Sequence, residues 1–333
     1  MEVIESAAVP AGTEPGDWLQ ATVCEAVKLT SDTLLLRLRS AAEDPLPGHE
    51  PGAHVALQCG DGVVRHYSLT GSRQHAGLYE LGIKLASDSQ GGSRWVFDNA
   101  AIGSQWLISR PRNHFPLVSG AGRFLFLSGG IGMTPIISML YELKSRGVRA
   151  RWVHMCRARE DLGFQDWLSE LAAFHDVHVH FDADGGLYDL ATELAGTDAQ
   201  TVVYCCGPAG MMDVVRLYGE ASGRAGNFHF EYFAAPQLER DEAQDEEFSV
   251  VQASTGRTIP VPKTKTMLAA LRDAGIAMKS ECEYGVCGWC AVGVLEGTPA
   301  HFDSYLTSAE KAANKLVLPC VSRCSSARIT LDI

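Results

Sequence analysis

The sequence predicts a multidomain protein: an antiparallel β-barrel, then a doubly wound α/β domain, then a small α+β domain. Three observations carry this. Short strands broken by Gly, Pro and Asp fill residues 18–116, the spacing of an antiparallel barrel. Strand and helix patterns alternate across 117–233, which implies a parallel sheet covered on both faces. The last segment, 247–333, holds Cys282, Cys287, Cys290 and Cys320 at the spacing C-x4-C-x2-C-x29-C. A chain of 333 residues has room for all three domains. Residues 1–17 read as a disordered lead-in and 234–246 as a linker.

The barrel strands are expected in LQATVCEAVKL, TLLLRLRS, HVALQCG, VVRHYSLTG, LYELGIKLA and QWLISRP. In the second segment RFLFLSGG is a buried-type strand ending in glycines, and IGMTPIISMLYELKSRG a helix. ARWVHMCRA, VHVHFDA and TVVYCCGP are further strands. DLGFQDWLSELAAF, LYDLATELAG and AGMMDVVRLYGEASG supply the helical patterns between and after them. The third segment opens with the hairpin pattern FSVVQASTGRTIPVP and continues with the helix TMLAALRDAG.

Composition excludes several function classes. The net charge of −12 disfavours a nucleic-acid partner. The acidic run ERDEAQDEE at 239–247 reads as a solvated linker, and from Glu246 onward basic and acidic residues balance. Apolar runs such as FLFL at 124–127 are too short to cross a bilayer. The N-terminus lacks the basic region of a secretory signal. Ten cysteines in a chain without an export signal fit a reducing, cytoplasmic compartment, with thiols free or binding metal. Cys24, Cys59 and Cys156 are expected in cores.

The four-cysteine spacing is the plant-type ferredoxin pattern, in which thiolates hold a [2Fe–2S] cluster. Gly285 and Gly288 suit a loop wrapped tightly around such a group. Zinc is the ordinary alternative, but it favours paired C-x2-C knuckles, of which one is present. Arg65-His66-Tyr67-Ser68-Leu69 supplies what a flavin needs: a cation near its phosphate, an aromatic face and hydrogen bonds. The bland alternative is an amphipathic strand. Gly91-Gly92-Ser93 before WVFDNA makes a phosphate site from a helix N-terminus, or else Ser93 is a plain N-cap. Gly130, Gly132 and Thr134 lie in SGGIGMTP, a glycine-rich strand-to-helix turn at the usual nucleotide position. Cys206, Gly207 and Pro208 end a later strand of the same sheet, with Cys205 expected in the core. Arg157 and Arg159 follow the second strand, beside Glu160 and Asp161. The local signal for or against a 2′-phosphate is therefore divided.

These motifs, in this order, resemble the ferredoxin–NADP reductase superfamily, and within it the phthalate dioxygenase reductase and vanillate demethylase reductase type. The resemblance rests on RHYSL, QGGS, RPRNHFPL, SGGIGMTPI, CCGP, HFEYF and the cysteine motif, and covers roughly 18–333. It implies an antiparallel flavin-binding β-barrel, a doubly wound α/β nucleotide-binding domain and a plant-type ferredoxin (β-grasp) domain. It implies that Arg65, Tyr67 and Ser68 contact the flavin, with Gly92 and Ser93 at its phosphate. Gly130, Thr134 and Cys206 then lie along the pyridine nucleotide, and Phe233 lies near the flavin ring. It also implies FMN rather than FAD and NADH rather than NADPH. Hydride from NADH would reach the flavin, and single electrons would pass through the cluster to a Rieske-type oxygenase. Ser68, Cys206 and Phe233 are the residues expected at the reacting rings. A haem-thiolate monooxygenase is the alternative acceptor, and a nucleotide-binding redox carrier or sensor the alternative class. The chain is expected to be monomeric. Gln90 stands where relatives often carry an arginine, with Arg94 as the candidate substitute.

Overall fold

The computed structural model describes residues 18–60, 63–71, 77–86, 91–233, 245–280 and 282–333. The expected lead-in, Gln90 and residues 234–244 of the expected linker lie outside the described residues. The chain divides into two compact units. The first runs to Gly219 and includes Gly226–Phe230; the second takes Glu220–Ala225 and continues from Glu231.

The first unit opens with strands β1 (Trp18–Lys28), β2 (Thr33–Ser40), β3 (His54–Gln58), β4 (Val64–Ser68), β5 (Leu78–Lys84) and β6 (Gln105–Ser109), and α1 (Gly92–Asn99) between the last two. Their order is β4-β3-β6-β1-β2-β5. An antiparallel bridge between Leu69 and Leu81 joins the two edges, so the sheet closes into a barrel. Period two explains the leucine run of β2. Leu34, Leu36 and Leu38 point into the barrel core, while Leu35 joins the core of the neighbouring α/β domain.

That domain follows as β7 (Phe124–Gly129), α2 (Met133–Ser145), β8 (Arg151–Cys156), α3 (Gln165–Ala172), β9 (Asp176–Phe181), α4 (Asp182–Gly185), α5 (Leu190–Ala195), β10 (Val202–Cys206), α6 (Ala209–Ala221) and β11 (Phe228–Phe230). The strands are parallel, in the order β11-β10-β7-β8-β9. Phe126, Trp152 and Tyr204 face α2 and α3, whereas the Cys205 thiol meets Met212 of α6 on the other face. Strand order reverses beside β7, so the ligand crevice opens at the C-terminal ends of β7 and β10. The barrel is tied to this domain directly. Gly52 N–H donates to Ser138 Oγ at 3.1 Å. Tyr204 pins the connecting chain, accepting from Val118 N–H at 2.7 Å and donating to Pro116 C=O at 2.8 Å.

The second unit contains β12 (Phe248–Gln252), β13 (Thr258–Val261), α7 (Met267–Asp273), β14 (Val292–Glu296), β15 (Pro299–Ala300), α8 (Ser308–Ala313), β16 (Leu316–Val317), β17 (Arg323–Cys324) and β18 (Arg328–Leu331). Its main sheet runs β13-β12-β18-β14-β16, with β12 and β18 parallel at the centre. Thr266 caps α7, its side chain accepting from Ala269 N–H. Met267, Ala270 and Leu271 then pack on Val250, Ile259 and Ile329, the β-grasp arrangement. Leu268 points into a second cluster with Cys290, Leu306, Leu318 and Cys320. Asp245 and Glu246, read as linker from sequence, are engaged in this unit. Arg323 Nε lies 3.5 Å from the Asp245 carboxylate, and Arg323 donates to Glu246 C=O at 2.8 Å.

Candidate redox site

The flavin-type motif falls on β4 and the turn after it. Ser68 is 2% exposed, Leu69 is fully buried, Tyr67 is half-buried and His66 is exposed. Burial raises the Tyr67 phenol above its ordinary range, so it stays a hydrogen-bond donor. Cys59, close enough for Arg65 to oppose the shift, is pushed up to about 11 by burial. His66 stacks on His54, ring centres 5.3 Å apart. The two separate sequence motifs meet here. A Cβ on Gly92 would lie 2.5 Å from Arg65 Cγ and 2.7 Å from its Nε. A side chain at position 92 would push the Arg65 stem off the first turn of α1. Ser93 is not the N-cap; Gly91 is, at φ 100°, and Ser93 Oγ instead accepts from Ala86 N–H at 3.1 Å. The first-turn N–H groups and the Arg65 guanidinium thus share one end of α1, an arrangement suited to a phosphate.

At the crevice of the parallel sheet, two turns interlock. A Cβ on Gly132 would lie 2.1 Å from the Cys206 carbonyl oxygen, and one on Gly129 2.5 Å from Pro208 Cδ. Gly132 is therefore required by close packing of the turn after β7 against Cys206-Gly207-Pro208. Gly130 differs: φ is +53° and nothing lies within 4 Å of its would-be Cβ, so its backbone is open to a ligand. Thr134 is 1% exposed and donates to Ile131 C=O at 3.0 Å. Its methyl abuts Gly82 of β5, whose would-be Cβ lies 2.5 Å away. A continuous contact path results: Leu69 bridges Leu81, Gly82 meets Thr134, and Gly132 meets Cys206. The flavin-type strand and the nucleotide-type turns are thereby adjacent within one unit. Phe233 belongs to the second unit and is 48% exposed.

Beneath this crevice, sequence reading has Ser128 at the head of the glycine-rich turn and Cys156 in a core, but gives His154 no part. Ser128, directly before the turn, accepts from Trp152 Nε1 at 2.8 Å and lies 2.8 Å from His154 Nδ1. His154 Nε2 lies 3.1 Å from Cys156 Sγ. Burial pushes the imidazole down to about 4, so it is neutral. Only the pairing of Ser128 with His154 across β7 and β8 brings them together.

In the second unit the cysteines meet as two pairs. Cys290 Sγ and Cys320 Sγ are 3.2 Å apart, and the thiols of Cys282 and Cys287 are close enough to shift each other's ionisation. Among the described residues no three His, Cys, Asp or Glu side chains converge on one ion position. Two pairs fit a binuclear cluster with two thiolates per iron, and not a single tetrahedral ion with four converging donors. Glu283, Gly285 and Gly288 all have positive φ (57°, 75° and 72°), which turns successive N–H groups inward as an anion nest. Tyr284 N–H points at Cys282 Sγ at 3.4 Å. Interaction with the Cys287 thiol, helped by N–H groups of Tyr284, Val286 and Cys287, holds the Cys282 thiol below its ordinary range. A Cβ on Gly288 would lie 2.2 Å from the Tyr305 ring, and one on Gly285 2.6 Å from Val321. Cys324 is apart from both pairs, 3.1 Å from Ser326 Oγ.

Comparison with known proteins agrees with this three-part layout. Residues 20–116 match the oxidoreductase FAD-binding domain, 126–217 the oxidoreductase NAD-binding domain, and 250–325 the 2Fe-2S iron-sulfur cluster binding domain. The chain is 37% identical over 316 residues to vanillate O-demethylase oxidoreductase of Pseudomonas sp. (strain HR199), covering 93% of this chain and 99% of that one. It is similar to the structure of phthalate dioxygenase reductase (32% identity, TM-score 0.66), with 95% of this chain and 98% of that one covered. It is also similar to part of an intact type IV self-sufficient cytochrome P450 monooxygenase (34% identity, TM-score 0.79). There 95% of this chain spans 41% of the longer one. No helix among the described residues is long and apolar enough to cross a membrane.

Proposed function

This chain belongs to the family of phthalate dioxygenase reductase and vanillate O-demethylase oxidoreductase, oxidoreductases that carry flavin-, NAD- and [2Fe–2S]-binding domains, and from that premise we propose that it oxidises NADH and delivers single electrons to a Rieske-type oxygenase. The bound groups would supply the redox chemistry: a flavin accepts two electrons as hydride, and a [2Fe–2S] centre relays them one at a time. The protein positions them. Arg65 and the Gly91-Gly92-Ser93 turn hold the flavin phosphate, while His66, Tyr67, Ser68 and Leu69 line its ring side. Gly130, Gly132, Thr134, Arg157, Cys206, Gly207 and Pro208 hold the pyridine nucleotide. Cys282, Cys287, Cys290 and Cys320 ligate the iron. The observation that carries the reading is the contact path from Leu69 through Gly82 and Thr134 to Gly132 and Cys206, because a flavin on the first motif and a nicotinamide on the second would then lie close enough for direct hydride transfer.

We take the flavin to be FMN. Five residues separate α1 from β6, which leaves no segment there to hold an adenine, and Trp95 of α1 is occupied against Trp106, ring centres 5.1 Å apart. Flavin released by heat and run on a column tests this; FAD at one per chain would refute it. We expect a monomer by gel filtration. Reduction of the Rieske centre of an oxygenase by NADH through this protein tests the acceptor. Similarity to the P450 structure favours a second reading, in which the acceptor is a haem-thiolate monooxygenase. Faster reduction of such a haem than of a Rieske centre would select it. Failure to reduce cytochrome c or a dye with NADH would instead indicate a carrier or sensor.

A further inference from the structure

Two arginines follow β8, and their surroundings differ. Arg157 is exposed, and its guanidinium has no partner among the described residues. Arg159 has two partners, although its side chain is 71% exposed and that of Asp184 55%. Its Nη2 lies 2.6 Å from Asp184 Oδ2, and its guanidinium carbon lies 4.5 Å over the ring centre of Phe181. The loops that carry the two partners are also stitched together, because Ala183 N–H donates to Arg157 C=O at 2.9 Å. These loops leave the C-terminal ends of β8 and β9, where Cys156 and Phe181 are register partners. That strand end is where a dinucleotide fold distinguishes a ribose hydroxyl from a 2′-phosphate.

A 2′-phosphate is best gripped by an arginine presenting its planar fork. A guanidinium laid on a ring and neutralised by a carboxylate is not presented. Asp182, in the same turn, adds a second negative charge that disfavours a dianion. An exposed ion pair is worth little alone. Here the Phe181 ring also engages the guanidinium, and the Ala183–Arg157 bond ties the two backbone segments together.

We propose that Asp184 selects NADH over NADPH by holding Arg159 against Phe181. It is a positioning residue that withholds one of two strand-end guanidiniums from a 2′-phosphate. The inference rests on the NADH reading above and supplies its cause.

The test uses the holoenzyme and compares specificity constants for NADPH and NADH, together with inhibition by 2′,5′-ADP. Asp184→Ala should raise the NADPH-to-NADH ratio about tenfold, the scale of one charge-assisted hydrogen bond to the phosphate. The change should fall on KM for NADPH rather than kcat, and 2′,5′-ADP should bind more tightly. Asp184→Glu should keep the original ratio. Asp184→Ala with Arg159→Ala should lose the gain. An unchanged ratio in Asp184→Ala would overturn the proposal, as would a gain that survives removal of Arg159, since lost negative charge would then suffice. A wild-type protein that prefers NADPH would sink the NADH reading itself. Wild-type preference for NADH with an inert Asp184→Ala would sink only the role of Asp184.

Discussion

At the residue scale, the two sulfur pairs make the sharpest prediction. Each iron would depend on both thiolates of its pair, so serine at Cys282, Cys287, Cys290 or Cys320 should each abolish the cluster. Cys324, whose thiol is spent on Ser326, should tolerate serine. Iron content and the EPR signal of the reduced protein check this; loss of the cluster from Cys324→Ser with retention in Cys320→Ser would reverse the assignment. His154 gives a pH prediction. It is fully buried, and its folded-state pKa of about 4 lies below the ordinary 6.5. The unfolded imidazole takes up a proton as pH falls below about 6.5, while the folded one resists until about 4. Its contribution to stability is therefore complete above pH 6.5 and is lost as pH falls through 4. The urea midpoint should drop across that window, and His154→Gln should flatten the drop. An equal slope in the variant would remove His154 as the cause.

At the element scale, the glycine-rich turn after β7 serves two purposes that the sequence shows as one. Gly130 leaves open space, but Gly132 is closed by the Cys206 backbone. Backbone cannot swing aside as a flexible side chain can. Gly132→Ala should therefore displace both turns of the crevice and raise KM for NADH by about tenfold or more, with flavin and iron content unchanged. Normal NADH kinetics in that variant would show that the interlocked turns do not set the nucleotide position. The same distinction applies at α1. Sequence and resemblance put Ser93 at the flavin phosphate, with a plain cap as the bland alternative; the structure gives the cap to Gly91 and turns Ser93 toward Ala86. That choice depends on where β5 ends relative to the helix, which local residues do not encode.

At the scale of the whole molecule, the cysteine segment has cores of its own. Among the described residues, its two buried clusters draw only on residues from Phe248 onward, while the barrel and the α/β domain bury apolar residues of their own, Met212 and Val215 of α6 included. Removal of everything after Gln244 should therefore leave a folded flavoprotein. It should still oxidise NADH with ferricyanide, which can take electrons from a flavin directly, but lose most cytochrome c reduction. A folded, flavin-loaded fragment that NADH cannot reduce would show that the proposed electron order is wrong.

The sequence by itself determined the three-part architecture and its order. Strand spacing, strand–helix alternation and the C-x4-C-x2-C-x29-C spacing are local signals, set by period and by covalent separation. It also exposed Arg65, Gly92, Gly132 and the four cysteines, because each stands in a short motif. Tertiary structure alone decided which of these meet. Arg65 of β4 reaches Gly92 of α1, Thr134 touches Gly82, and Cys282 pairs with Cys287 while Cys290 pairs with Cys320. That Ser128, His154 and Cys156 form a buried row, and that Asp184 meets Arg159, carried no signal in the chain. Such contacts depend on strand register and on where neighbouring loops leave a sheet, and those follow from packing, not from spacing along the sequence.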